Sequence, residues 1–149
     1  MENIHFKTIS FSDFTTNELY AVLQLRSEVF VVEQDCAYQD LDYKDQKSYH
    51  LLGFSNNELV CYARIFNEGD YFDTPSIGRV IVKETFRDKA LGHDLMKEAV
   101  AFSTSTFQNK TITISAQQHL EKFYNQHGFV AKGASYLEDG IPHIKMIRN

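Results

Sequence analysis

Apolar positions recur along this chain in two periods, and the switches between them predict its elements. Over Ile4-His5-Phe6-Lys7-Thr8-Ile9, apolar and polar side chains alternate as on a half-buried strand. Thr15-Thr16-Asn17-Glu18 reads as a capping box, with Thr15 at the N-cap and Glu18 three residues on; Phe14 and Leu19 are spaced as a hydrophobic staple. The helix starting at about Thr16 is expected to bury Leu19, Val22 and Leu23, and later Val29 and Phe30. Residues 33–47 are polar, rich in Asp and Tyr, and predict an irregular loop. Two strand-like runs follow, 49–55 and 59–66, joined by Asn56-Asn57, a pair that tolerates the positive φ of a tight hairpin.

After a loop holding Gly69 and Pro75, Ile77-Gly78-Arg79-Val80-Ile81-Val82 is a further β run. From Leu91 the period lengthens again and places Leu91, Leu95, Ala99 and Phe102 on one helix face. Residues 111–116 read as a strand, and 118–127 as a short helix with Leu120, Phe123 and Tyr124, closed by Gly128 at its left-handed cap. Two last strands, about 130–136 and 142–147, flank a Glu138-Asp139-Gly140 turn. The order is β-α-βββ-α-β-α-ββ, undivided by any repeat or linker. It predicts one α/β (α+β) domain over residues 1–149, with a mixed central sheet covered by helices on both faces.

Composition narrows the function. Of 149 residues, 43% are hydrophobic and 23% charged, the balance of an ordinary globular chain rather than a disordered one. No apolar run approaches the roughly 20 residues that cross a bilayer, and Met1-Glu2-Asn3-Ile4-His5 lacks the basic and apolar regions of a signal peptide, so a cytoplasmic location away from membranes is expected. A net charge of −5 without a dense Lys/Arg cluster argues against a nucleic-acid partner and weakly suits a cationic one. Cys36 and Cys61 fit neither C-x-x-C nor a metal-ligand spacing, the six histidines are scattered, and no metal is expected.

The segment most suggestive of chemistry runs from Val80 to Met96, where a strand ends, a loop crosses and a helix begins at small residues. The first amides of a helix lack internal partners and carry partial positive charge, so such a mouth can hold a diphosphate if no bulky side chain intervenes. Gly92 and Ala90 meet that demand, and Arg87 and Lys89 add charge. An ordinary loop with Gly92 placed for packing reads equally well from these residues alone. The run is neither a Walker loop nor a G-x-G-x-x-G fingerprint.

Arg87-Asp88-Lys89-Ala90-Leu91-Gly92 resembles the acyl-CoA loop of the GNAT acetyltransferase superfamily, R/Q-x-x-G-x-G/A, with Ala90 in place of the first glycine. Four further stretches resemble the ElaA-like branch of that superfamily in the same order. They are Leu25-Arg26-Ser27-Glu28-Val29-Phe30-Val31-Val32-Glu33-Gln34, the strand Ile77 to Val82, His119-Leu120-Glu121-Lys122-Phe123-Tyr124-Asn125-Gln126-His127-Gly128-Phe129, and Glu138-Asp139-Gly140-Ile141-Pro142-His143.

The resemblance implies an enzyme that moves acetyl from acetyl-CoA, its co-substrate, to an amine of a small molecule or peptide. It leaves open a non-catalytic acyl-CoA-binding or interaction module, a binder of another phosphate ligand, and a homodimer. It implies a V-shaped opening between the strands ending at Val82 and near Ala116. The pantetheine arm would bond there to the main chain of Val80, Ile81 and Val82, with an amide near Val80 polarising the thioester carbonyl. Arg87, Asp88, Lys89, Ala90, Leu91, Gly92 and His93 would surround the diphosphate, with Ala90 tolerated if it keeps φ negative, and Gln117 would reach the pantetheine amide. Tyr124 matches the family tyrosine that protonates the departing sulfur. Read without the resemblance it is a core aromatic. Ser76–Val82 contains no carboxylate to act as general base, so the candidates are Glu33 first and His143 second, ahead of Asp42, Asp45 and His50. Arg26, on the apolar side of the first helix, is expected to pair with Glu28 or the Asp-rich loop.

Overall fold

The computed structural model describes residues 3–149. Seven strands form one mixed sheet, β1 (His5–Ser10), β2 (Tyr49–Ser55), β3 (Glu58–Phe66), β4 (Ser76–Val82), β5 (Ile112–Gln117), β6 (Val130–Glu138) and β7 (Ile141–Arg148), in the order β1-β2-β3-β4-β5-β7-β6. The helices are α1 (Thr16–Arg26), which runs on as a π-helical stretch over Ser27–Glu33, α2 (Leu91–Thr106) and α3 (Glu121–Asn125). This is the element order the periodicities predict. Thr15 closes the predicted capping box, accepting from the Glu18 amide at 3.1 Å while the Glu18 carboxylate accepts from the Thr15 amide at 3.0 Å. Asn56 and Asn57 take φ of 49° and 70°, as the hairpin between β2 and β3 requires. On α1 the buried residues are Val22, Leu25 and Arg26, whereas Leu19 and Leu23 stay half-buried.

Two apolar clusters sandwich the sheet. Val22, Leu25 and Val29 pack against Leu52, Tyr62 and Ile81 on one face, and Leu91, Leu95, Met96 and Ala99 pack against Leu51, Ala63, Ile65 and Ile77 on the other. Strict alternation would put Ile77 and Ile81 on the same face, because they are an even number of residues apart. A bulge explains why they part: Arg64 pairs with Gly78 but Tyr62 with Ile81, and Arg79 takes φ of 49°. One extra residue in β4 rotates everything after it to the opposite face.

β4 and β5 are parallel and joined through α2, yet only Ser76 and Thr113 pair between them. That end is fastened by the Thr113 amide to the Pro75 carbonyl at 3.0 Å and by Thr74 Oγ1 to Thr113 Oγ1 at 2.6 Å. Past it the strands diverge, and the sheet splits on the side where Val82 and Gln117 end.

Gly53 lies where β2 crosses closest to its neighbours: a Cβ there would stand 2.3 Å from Cys61 Sγ and 3.0 Å from the Phe6 ring. Gly53→Ala is expected to cost about 1–3 kcal/mol through overpacking, read by urea unfolding, and Cys61→Ala in the same chain should recover most of it. An unchanged midpoint for the single variant would refute the packing argument.

Candidate functional site

The split in the sheet opens a cleft of about 890 Å³ whose wall includes Val80, Val82, Gly92, Gln117, Phe123 and Tyr124. The bulge at Arg79 sits on its β4 edge; past it β4 stays paired with β3, Ile81 to Tyr62 and Val82 to Cys61, while its other edge faces the opening instead of β5. A side chain at position 92 would meet Phe123 at 3.5 Å and Val82 at 3.8 Å, ordinary contacts. Nothing in the protein's own packing therefore demands glycine there; the room a side chain would take belongs to the cleft. Gly92→Val should keep the thermal midpoint while weakening coenzyme A about tenfold or more, near 1.4 kcal/mol, by titration calorimetry. Unaltered affinity would show that the ligand avoids this mouth.

The loop before α2 departs from expectation at three places. Ala90 does not keep a negative φ; it takes φ 56°, ψ 19° as the left-handed residue that turns the chain into α2. The missing glycine thus falls where glycine would be least strained, and alanine accepts a cost of about 1–2 kcal/mol. Arg87 is engaged on the protein side, with Nη1 and Nη2 donating to the Glu33 carboxylate at 2.6 and 3.0 Å and Nε donating to the Val82 carbonyl at 2.9 Å. His93 is in turn tied at its amide to the Ala90 carbonyl at 3.1 Å and at Nδ1 to His127 Nε2 at 2.9 Å. Asp88 and Lys89 are exposed on the short turn Glu84–Lys89, while Leu91 is buried under it.

Tyr124 stands at the cleft wall on α3, edge-on to Phe123 and Phe129 at 5.1 and 6.0 Å between ring centres. Among the described residues its hydroxyl has no hydrogen-bond partner, so the core-aromatic reading accounts for the ring but not for the oxygen. Burial pushes this phenol up to about 12. α3 ends as predicted, with Gly128 at φ 87° and the Phe129 amide returning to the Tyr124 carbonyl at 3.2 Å.

Two arginines that line the cleft, Arg64 and Arg79, and the buried Arg26 are neutralised by the Asp-rich loop. Buried Arg26 donates from Nε to Asp40 at 2.9 Å and from Nη1 to Asp45 at 2.7 Å. Arg64 donates to Asp45 at 2.8 Å and to both oxygens of Asp42 at 2.9 and 2.8 Å. Arg79 donates to Asp40 at 2.7 Å. The partners of Arg26 are thus in the Asp-rich loop; Glu28 instead accepts from Gln24 at 3.1 Å. Burial alone would raise the carboxyls of Asp42 and Asp45, but hydrogen bonds and charge from Arg64 and Arg26 outweigh it and hold both below the usual carboxylate range. His50 is buried in the same network, accepting at Nδ1 from the Tyr62 hydroxyl at 2.6 Å and donating from Nε2 to the Asp45 carbonyl at 2.9 Å; burial pushes it down. Asp42, Asp45 and His50 therefore fasten the loop.

Across the cleft, His143 on β7 donates from Nδ1 to the Ile141 carbonyl at 2.7 Å, which leaves Nε2 facing the Glu138 carboxylate at 3.5 Å. Ser115 on β5 donates to Glu138 at 3.2 Å and shares a 2.5 Å hydrogen bond with Tyr136. The sequence reading did not single out Glu138, Ser115 or Tyr136 as site residues. A signal was present, because a turn at Asp139-Gly140 pairs Glu138 with Ile141 and Tyr136 with His143, which brings 136, 138 and 143 together. The thiol of Cys36 reaches the Asp139 carbonyl at 3.4 Å, and Cys61 is buried, its thiol pushed up to about 12 mainly by burial; neither is in a disulfide. Among the described residues no cluster of His, Cys, Asp and Glu could hold a metal, and no helix is long and apolar enough to cross a membrane.

Residues 12–149 match the family model described as an acetyltransferase (GNAT) domain. The Escherichia coli K12 protein ElaA is 44% identical over 147 residues, 97% of this chain and 96% of that protein. Its crystal structure superposes with a TM-score of 0.92 over 99% of this chain and all of the other, at 42% identity in that alignment. The crystal structure of an acyl-CoA N-acyltransferase from Pseudomonas aeruginosa superposes with a TM-score of 0.91 at 39% identity, again over 99% of this chain and all of that one.

Proposed function

The chain belongs to the GNAT acetyltransferase family, and from that premise we propose that it transfers an acetyl group from acetyl-CoA directly to a primary amine. The carrying observation is the split between β4 and β5, with the main chain of Val80, Ile81 and Val82 on one lip and, in the wall, a Tyr124 hydroxyl with no hydrogen-bond partner among the described residues. An extended pantetheine arm can add there as a strand does, bonded to backbone groups that the sheet leaves unpaired. The carbonyl of Val82 is already met by Arg87 and Ile81 pairs with Tyr62 of β3, so the arm would rely on Val80 and the Val82 amide. Gln117, at the opposite lip, is within the same cleft and suited to the arm's amide.

In this reading the acceptor ammonium loses a proton and its lone pair attacks the thioester carbon. As the adduct collapses the C–S bond breaks, Tyr124 gives its proton to the sulfur, and the second proton leaving the nitrogen as the amide forms restores the phenol. An unperturbed alkyl thiol titrates near 8.5, so a phenol raised to about 12 remains protonated until thiolate charge develops. For the base, His143 is proposed ahead of Glu33. Both Glu33 oxygens are held by Arg87, whereas His143 turns an imidazole nitrogen toward the acceptor side. Glu33 then acts as the tie that fixes the loop Glu84–Lys89 against the end of the π-helical stretch. Thiol release from acetyl-CoA, followed over a panel of amines, tests the reading. Acetylation of any amine supports it, while calorimetric binding of acetyl-CoA without turnover on every amine class would leave a non-catalytic binding module.

A further inference from the structure

The charges around the cleft do not cancel, and the remainder points to the acceptor. Among the described residues, each arginine that lines the cleft is paired: Arg64 with Asp42 and Asp45, Arg79 with Asp40, and Arg87 with Glu33. Glu138 lines it too, and its neighbours are the Ser115 hydroxyl and the His143 ring, with no lysine or arginine in contact. Two carboxylates that line it, Glu138 and Asp139, are therefore left without a lysine or arginine partner among the described residues, and Glu138 is the one beside the His143 ring. Two rings stack on the same cleft: Phe66 and Tyr71 lie parallel at 5.4 Å and 14°. Tyr71 is near enough to feel Glu138, because its hydroxyl is raised first by burial and then by the charge of that carboxylate.

We propose that Glu138 anchors the acceptor's ammonium, and that the acceptor is a primary amine on an aromatic or apolar body carrying no carboxylate of its own. The inference rests on the transferase reading and deepens it. A cation that leaves water for this site donates a charge-assisted hydrogen bond to Glu138 and sets its apolar body beside the Tyr71 ring. A carboxylate on the same molecule would meet Glu138, while each guanidinium that lines the cleft already faces a carboxylate of the protein. Glu138 positions the nitrogen, and His143 Nε2, 3.5 Å from Glu138 Oε2, is where the ammonium proton goes before attack. On product release that proton passes to water.

The test uses phenethylamine and phenylalanine, which differ only by the α-carboxylate, on the full chain loaded with coenzyme A for binding and acetyl-CoA for turnover. Phenethylamine should bind and be acetylated, and phenylalanine should do so about 100-fold less well. Glu138→Gln should raise KM for phenethylamine about 100-fold with kcat little changed and coenzyme A affinity unaltered, and Glu138→Asp should recover part of the loss. Amine turnover that is indifferent to Glu138→Gln, or equal use of phenylalanine, overturns the anchor while leaving the transferase intact. Phenethylamine bound through Glu138 but never acetylated would uphold the anchor and remove the transferase instead. Absence of any phenethylamine binding to the wild-type chain overturns the proposal.

Discussion

Tyr124→Phe is expected to lower kcat by about 100-fold to 10,000-fold, the usual worth of a positioned general acid. The substitution removes one oxygen and keeps the ring, so the edge-on contacts with Phe123 and Phe129 and the thermal midpoint should survive. Because the hydroxyl has no partner among the described residues, its loss leaves no buried group stranded. KM for acetyl-CoA should change little, which separates a lost proton donor from a damaged site. The pH profile gives a second reading. Burial raises the phenol to about 12, so the donor stays protonated as pH climbs through 10, where an exposed tyrosine would be half ionised. Wild-type kcat should therefore hold steady to about pH 10, with the expected decline setting in above it. Equal rates for wild type and Tyr124→Phe across that range would remove Tyr124 from the mechanism.

The largest expected effect on stability is at Asp45. Its Oδ1 receives both Arg26 and Arg64, at 2.7 and 2.8 Å, and all three residues are buried. Asp45→Ala leaves two buried guanidinium groups short of an acceptor, a loss of about 3–5 kcal/mol by the behaviour of broken buried pairs. For a domain of this size that lowers the thermal midpoint by about 10 °C or more. Acid should mimic the substitution. Asp42 and Asp45 are held below their unfolded values, so below the unfolded carboxylate pKa near 3.9 the unfolded chain binds protons that the native one refuses. The stability they contribute is present above about pH 5 and is lost as pH falls below about 4 toward their folded values. A cost under about 1 kcal/mol for Asp45→Ala would mean that the clasp breaks even against its own desolvation.

The Asp-rich loop gains its shape from the same clasp. Asp40 joins buried Arg26 to Arg79, the residue at the bulge. A non-glycine residue at positive φ costs about 1–3 kcal/mol and persists only where its surroundings over-determine it. The guanidinium held by Asp40 supplies that constraint, so the loop over the cleft and the bend that exposes Val80 are fixed by one carboxylate.

Every element and its order are present in the alternations and capping signals, because those patterns act between residues one to four positions apart. The turn at Asn56-Asn57 and the cap at Gly128 were legible for that reason, whereas Tyr124 at the cleft followed from the family resemblance and not from any local pattern. The predicted burial of Leu19 and Leu23 was only half met, since the periodicity gives a face but the partner helix and sheet decide which of its edges is covered. Ala90 showed only that a glycine was missing; its left-handed turn is set by where α2 must begin.

The sequence by itself determined a mixed α/β chain with a helix mouth after its fourth strand and a tyrosine on its last helix. Only the tertiary structure decided what its charges do. Arg87 and Glu33 lie 54 residues apart, and Arg79 and Asp40 lie 39 apart. No local pattern could choose those partners over the others in a chain with 15 basic and 20 acidic side chains. Ion pairing is set by distance through space and by the water removed around each group, and both exist only once the sheet has split and the loop has closed on it.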